Sequence, residues 1–129
     1  MANVGSFAEN LALNFLLNAQ TATRPVQWGI GLGQAAPSSV NGSEIGTASG
    51  YARQTSMFGV AAQGTLVNTV PCTYGPFSSV ATISGVQVWD TATLGAGNML
   101  WYGTLATARA IAIGDSLVIA SAALTISLS

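Results

Sequence analysis

The sequence predicts a mainly β protein: a compact antiparallel β-sandwich, jelly-roll-like in one arrangement, with a short N-terminal helix. Three observations lead there. Near the C-terminus apolar and polar residues alternate with a period of two, Leu124, Ile126 and Leu128 against Thr125, Ser127 and Ser129. Short glycine-bearing turns divide the second half into apolar runs, and one stretch near the N-terminus carries a helical period. An open barrel is the main rival, since about eight to ten short strands suit either architecture. The 129 residues are enough for one domain around one core and too few for two ordinary ones.

The helix is expected over about residues 7–18. Ser6 followed by Glu9 has the form of a capping box, in which the serine accepts from the first backbone N–H groups and the glutamate reaches back. Ala8, Leu11 and Phe15 share one side, Leu13, Leu16 and Leu17 widen the apolar surface, and Asn10, Asn14 and Asn18 mark a polar side. Such a helix either closes over the sheet or docks on a neighbouring subunit.

Thr23-Arg24-Pro25 restarts the chain in extended form, and Val26–Leu32 reads as a strand with Trp28, Ile30 and Leu32 on one side. Gly29 and Gly31 fall on the other, where they admit a close neighbour or face solvent. Gly29-x-Gly31-x-Gly33 is no nucleotide loop, because it lacks the lysine and hydroxyl residue of a phosphate loop and the spacing of the dinucleotide fingerprint. A long polar loop follows over about 33–50, with a turn signal at Asn41-Gly42. It is either an exposed surface loop or an arm ordered by a neighbour. Arg53 is expected to pair with Glu44 or Asp90 and fix this loop, the alternative being an acidic partner surface.

Further strands are expected around Tyr51–Val60, over Thr65–Val70 up to Pro71, and from Cys72 to Tyr74. From Val80 to Asp90 the inward set begins with Ala81 and Ile83 and continues with Val86 and Val88, of opposite parity, which predicts a bulge or bend at Gly85. A polar connection leads from Asp90 into Asn98–Leu105, whose Met99-Leu100-Trp101-Tyr102 run implies burial on both faces or against another subunit. Arg109–Ser129 reads as three short strands turned at Gly114-Asp115 and Ser121-Ala122-Ala123, so that Val80–Ser129 forms a meander. Phe15, Trp89, Trp101, Ile119 and Ile126 are expected in the interior or at a subunit interface.

Composition excludes several functions. With three arginines and no lysine, Arg24, Arg53 and Arg109 cannot build a nucleic-acid footprint. No apolar stretch reaches the roughly 18 residues of a membrane span, and Met1-Ala2-Asn3-Val4 lacks the positive region of a secretion signal. Cys72 has no second cysteine to pair with and no histidine to activate it, so a buried, inert thiol is expected. No catalytic, cofactor-binding or metal-binding residue is assigned: Glu9, Glu44, Asp90 and Asp115 are dispersed, and each has a structural post in a cap, loop or turn. A hydrolase would need folding to bring two of these carboxylates together. Only 5% of residues are charged and 50% are hydrophobic, a surface that favours association over an isolated monomer.

Several stretches together resemble small virion proteins of tailed bacteriophages, known under tail-fibre, minor-tail and head-decoration names. They are Leu11–Asn18, Thr23-Arg24-Pro25 with Trp28 and Gly31-Leu32, Gly50–Gln54, Val88-Trp89-Asp90, Leu100–Gly103, and Gly114–Leu117 with Ala123–Ile126. The resemblance spans nearly the whole chain and rests on structural rather than catalytic motifs. It implies a noncatalytic virion protein without a cofactor, synthesised in the bacterial host cytoplasm. The expected position is a capsid decoration or cement protein on the outer shell, contacting major capsid protein subunits and copies of itself. A tail or fibre component bound to tail proteins is the alternative, although the chain shows neither heptads nor repeats.

Overall fold

The computed structural model describes residues 2–40, 43–46 and 50–128. Its elements are β1 (Ala2–Val4), α1 (Ser6–Leu17), β2 (Trp28–Gly33), β3 (Gln54–Ser56), β4 (Thr65–Val67), β5 (Cys72–Tyr74), β6 (Ala81–Trp89), β7 (Met99–Ile111), β8 (Leu117–Ile119) and β9 (Thr125–Ser127). Five strands form one antiparallel sheet in the order β1-β7-β6-β2-β3, and two small sheets, β4-β9 and β5-β8, accompany it. The architecture is mainly β, with antiparallel sheets packed together and one short helix, as a β-sandwich requires.

The alternation in β2 works as the sequence predicts. Ile30 and Leu32 are completely buried and join Ile83, Val88, Cys72, Tyr74, Phe77 and Ile126 in the core. Across Gly85 the core-facing parity of β6 switches from Ala81 and Ile83 to Val86 and Val88. The irregularity lies where the sequence puts it, but the extra residues are on the partner strand: Ile83 faces Arg109 and Gly85 faces Thr104, so residues 105–108 of β7 oppose Ser84 alone.

Strand pairing corrects the meander. β6 and β7 are neighbours, but β8 pairs with β5 and β9 with β4, so the C-terminal strands bind earlier parts of the chain. The first of the three strands expected after Arg109 is the far end of β7, which runs unbroken from Met99 to Ile111. Alternation fixes which side of a strand is covered; it carries no label for the strand alongside.

The capping box is also corrected. Gly5 is the N-cap residue and no side chain caps the helix. Tertiary contacts replace it: Gly5 N–H donates to the Leu100 carbonyl at 2.7 Å and Ser6 N–H to the Ser39 carbonyl at 3.1 Å. A Cβ at Gly5 would collide with the Met99 carbonyl, so the chain enters the helix pressed against β7.

The interior set is met in part. Ile126 is buried, and Trp89, Trp101 and Ile119 are half-buried, whereas Phe15 is 57% exposed. Met99 and Leu100 are buried, but Tyr102 only partly so. The Asn41-Gly42 turn lies outside the described residues.

Candidate functional site

Two regions hold most of the chain's unusual chemistry, a buried polar knot behind β2 and an apolar surface around α1. The knot forms because Gly29 and Gly31 leave the back of β2 bare. A Cβ on Gly31 would lie 2.6 Å from Glu44 Oε1, and one on Gly29 would strike the Thr91 carbonyl. Close approach, and not solvent, is therefore the reason for both glycines.

Into this space Glu44 and Arg53 bring a two-pronged ion pair, Nη2 to Oε2 at 2.7 Å and Nε to Oε1 at 2.8 Å. The remaining guanidinium nitrogen, Nη1, donates to the carbonyls of Thr91, Thr93 and Ala96 at 3.1, 2.9 and 2.9 Å. The guanidinium also lies 3.9 Å from the centre of the Trp89 ring, whose indole N–H donates to Gln87 Oε1. Tyr51 completes the knot by donating to Glu44 Oε1 at 2.7 Å and accepting from Leu32 N–H at 2.9 Å. Arg53 thus ties both the 33–50 loop and the 90–98 connection to the sheet, and the pairing with Glu44 anticipated from the sequence is present.

The same groups close an edge of β2. β3 pairs with β2 only from Trp28 to Ile30. Beyond it, Tyr74 donates to the Ile30 carbonyl at 2.8 Å, Tyr51 accepts from Leu32, and Ile45 N–H reaches the Leu32 carbonyl at 3.0 Å. Tyr51 and Tyr74 stack with ring centres 6.0 Å apart. Burial pushes the hydroxyls of both far above the ordinary tyrosine range, and for Tyr51 the hydrogen bond to Glu44 adds to the effect.

The four carboxylates occupy separate posts. Glu44 is in the knot, Asp90 binds the backbone and side-chain amides of Asn98, and Asp115 accepts from Ala112 N–H at 2.9 Å. Glu9 is exposed on α1. Cys72 is buried, which raises its pKa and suppresses the thiolate. Among the described residues no group of three His, Cys, Asp or Glu side chains is placed to hold a metal ion, and no helix is long and apolar enough to cross a membrane.

Sequence reasoning missed Asn68. It is fully buried, and its side-chain amide donates to the Val70 and Ala120 carbonyls while its oxygen accepts from Leu124 N–H at 2.8 Å. It joins the end of β4 to the β8–β9 turn. The signal was a lone asparagine in an apolar run, at the same parity as Leu66 and Val70.

The second region is the surface around α1. Ala8, Leu11, Ala12 and Phe15 turn towards β7 and border a trough of about 370 Å³ that Pro25, Trp28 and Trp101 complete. A second trough, of about 450 Å³, starts on the other side of Trp28 and Trp101 and extends to Phe58, Leu66 and Leu128. The indole nitrogen of Trp101, in the wall common to both, is buried without a hydrogen-bond partner. On its outer side the helix presents Leu13, Leu16 and Leu17, which are 56%, 72% and 80% exposed. Large contiguous apolar patches mark interaction sites, so contact with another macromolecule is what this arrangement is suited to do.

None of the curated proteins matches the chain. The family described as Podophage GP4 fiber I protein gp80 does, over residues 3–127. A match of that extent identifies this mainly β chain as a member of the Podophage GP4 fiber I protein gp80 family, a small phage virion structural protein of the tail-fibre type.

Proposed function

We propose that residues 1–129 act as one noncatalytic structural unit of a podophage fibre, joined to neighbouring virion proteins through the apolar surface around α1. The observation that carries this reading is the outward face of α1, where Leu13, Leu16 and Leu17 stand in solvent beside two open apolar troughs. The polar groups that a hydrolase would recruit are engaged elsewhere, Glu44 with Arg53, Asp90 with Asn98 and Asp115 with the chain beside it. The family name favours the fibre over the shell position that the sequence leads one to expect.

Reconstruction of the intact particle at side-chain resolution tests this. The expected result is density for the chain in the tail-fibre apparatus, with α1 and the troughs covered by protein. Density confined to the shell, together with capsids that resist disruption better when the purified protein is added back, would replace the fibre reading with capsid decoration.

A further inference from the structure

We infer that this chain binds a second copy of itself by laying the outer face of α1 into the trough between α1 and the Ala22–Pro25 segment of its neighbour. The two halves of the contact are both present on one molecule. Leu13, Leu16 and Leu17 are spaced as a helix-packing stripe, at i, i+3 and i+4, and Glu9 continues that stripe one turn earlier. The trough is walled by Pro25, Trp28, Trp101 and the inner side of α1, and Arg24 stands at its rim.

Charge selects the occupant. Glu9 and Arg24 are both exposed, and neither forms an ion pair among the described residues, whereas Arg53 and Glu44 are spent on each other. A neighbour's helix seated with its leucines over Trp28 and Trp101 brings its single acidic group to the single basic group of the rim. Because helix and trough adjoin in the same chain, two copies related by a two-fold axis make the contact twice, each helix entering the other's trough.

The self-contact rests on the reading of the α1 surface as a contact surface, and not on which part of the particle holds the protein.

Sedimentation equilibrium of the purified full chain, from micromolar to millimolar concentration, tests it. The wild type is expected to associate, and Leu16→Glu combined with Leu17→Glu to weaken association about 100-fold with an unchanged far-ultraviolet circular dichroism spectrum, since two leucines that the contact covers are replaced by charges. Glu9→Arg and Arg24→Glu should each weaken it about fivefold, and the two together should restore it. If the leucine variant fails to fold, the charge exchange decides alone, because both of its residues lie on the surface. A wild type that stays monomeric throughout, an oligomer indifferent to the leucine variant, or a charge exchange that restores nothing would overturn the proposal.

Discussion

The knot around Arg53 and the surface around α1 use side chains in opposite ways. In the knot a charged pair is taken out of water: the Arg53 side chain is 0% exposed and Glu44 12%. Such burial is tolerated only when nearly every donor and acceptor has a partner, and Arg53 meets this with two bonds to Glu44 and three to backbone carbonyls. Around α1, apolar side chains remain in water with no covering layer. The difference separates cohesion from association: the knot fixes two connections to the sheet within one chain, and the helix keeps its hydrophobic free energy available for a contact outside it.

The comparison breaks most severely at Arg53. Arg53→Ala leaves Glu44 partly buried without its counter-charge and frees three carbonyls, so the expected loss is about 3–5 kcal/mol in unfolding by denaturant. Arg53→Lys sharpens the point. It keeps the charge but not the planar fork, so a loss well beyond a surface substitution shows that the geometry, and not the charge alone, holds the connections. A wild-type denaturation midpoint in either variant would reduce the knot to decoration.

A smaller effect is expected from alkaline pH. Tyr51 and Tyr74 hold their protons in the fold above the ordinary tyrosine value of 10.0, and Cys72 above its ordinary 9.0. The unfolded chain releases these protons first, so stability is fully present below those values and falls as pH rises through them, by up to about 1.4 kcal/mol per pH unit for each group. Tyr51→Phe should be less stable at neutral pH, because Leu32 N–H loses its acceptor, yet show a shallower decline above pH 10. Denaturant midpoints measured across the alkaline range give both numbers, and an unchanged slope in the variant would remove Tyr51 from the account.

The smallest effect on stability belongs to the helix surface. Leu17→Ser should change the unfolding free energy of dilute protein by no more than about 0.5 kcal/mol, because the side chain touches little of its own chain. A loss of several kcal/mol measured under dissociating conditions would mean that the outer helix face packs within the monomer, and the contrast with the knot would fail.

Part of the knot was legible before the fold was known. In a chain with three basic and four acidic side chains, the pairing of Arg53 with Glu44 or Asp90 was a short list, and the first of these is found. The three carbonyls, the ring of Trp89 and the hydroxyl of Tyr51 were not legible, because backbone carbonyls are the same in every residue and their direction depends on how the 90–98 connection turns. Asn68 was passed over for a similar reason: its partners at Ala120 and Leu124 lie more than fifty positions away. The helix surface was read as apolar, with Phe15 in the interior or at a subunit interface, and within the single chain Phe15 is left at the open edge of a trough.

By itself the sequence determined the β class, an extended run through Trp28, Ile30 and Leu32, the parity switch at Gly85, the turns at Gly114-Asp115 and Ser121–Ala123, and the scarcity of charge. These are local matters, decided by side-chain alternation and by residues that favour turns. Only the tertiary structure decided that β8 joins β5, that β9 joins β4, that β7 runs unbroken through 106–108, and that α1 is capped by the Ser39 carbonyl and not by its own serine and glutamate. The two pairings and the cap depend on backbone hydrogen bonds between distant segments, and the N–H and C=O groups that make them carry no trace of residue identity.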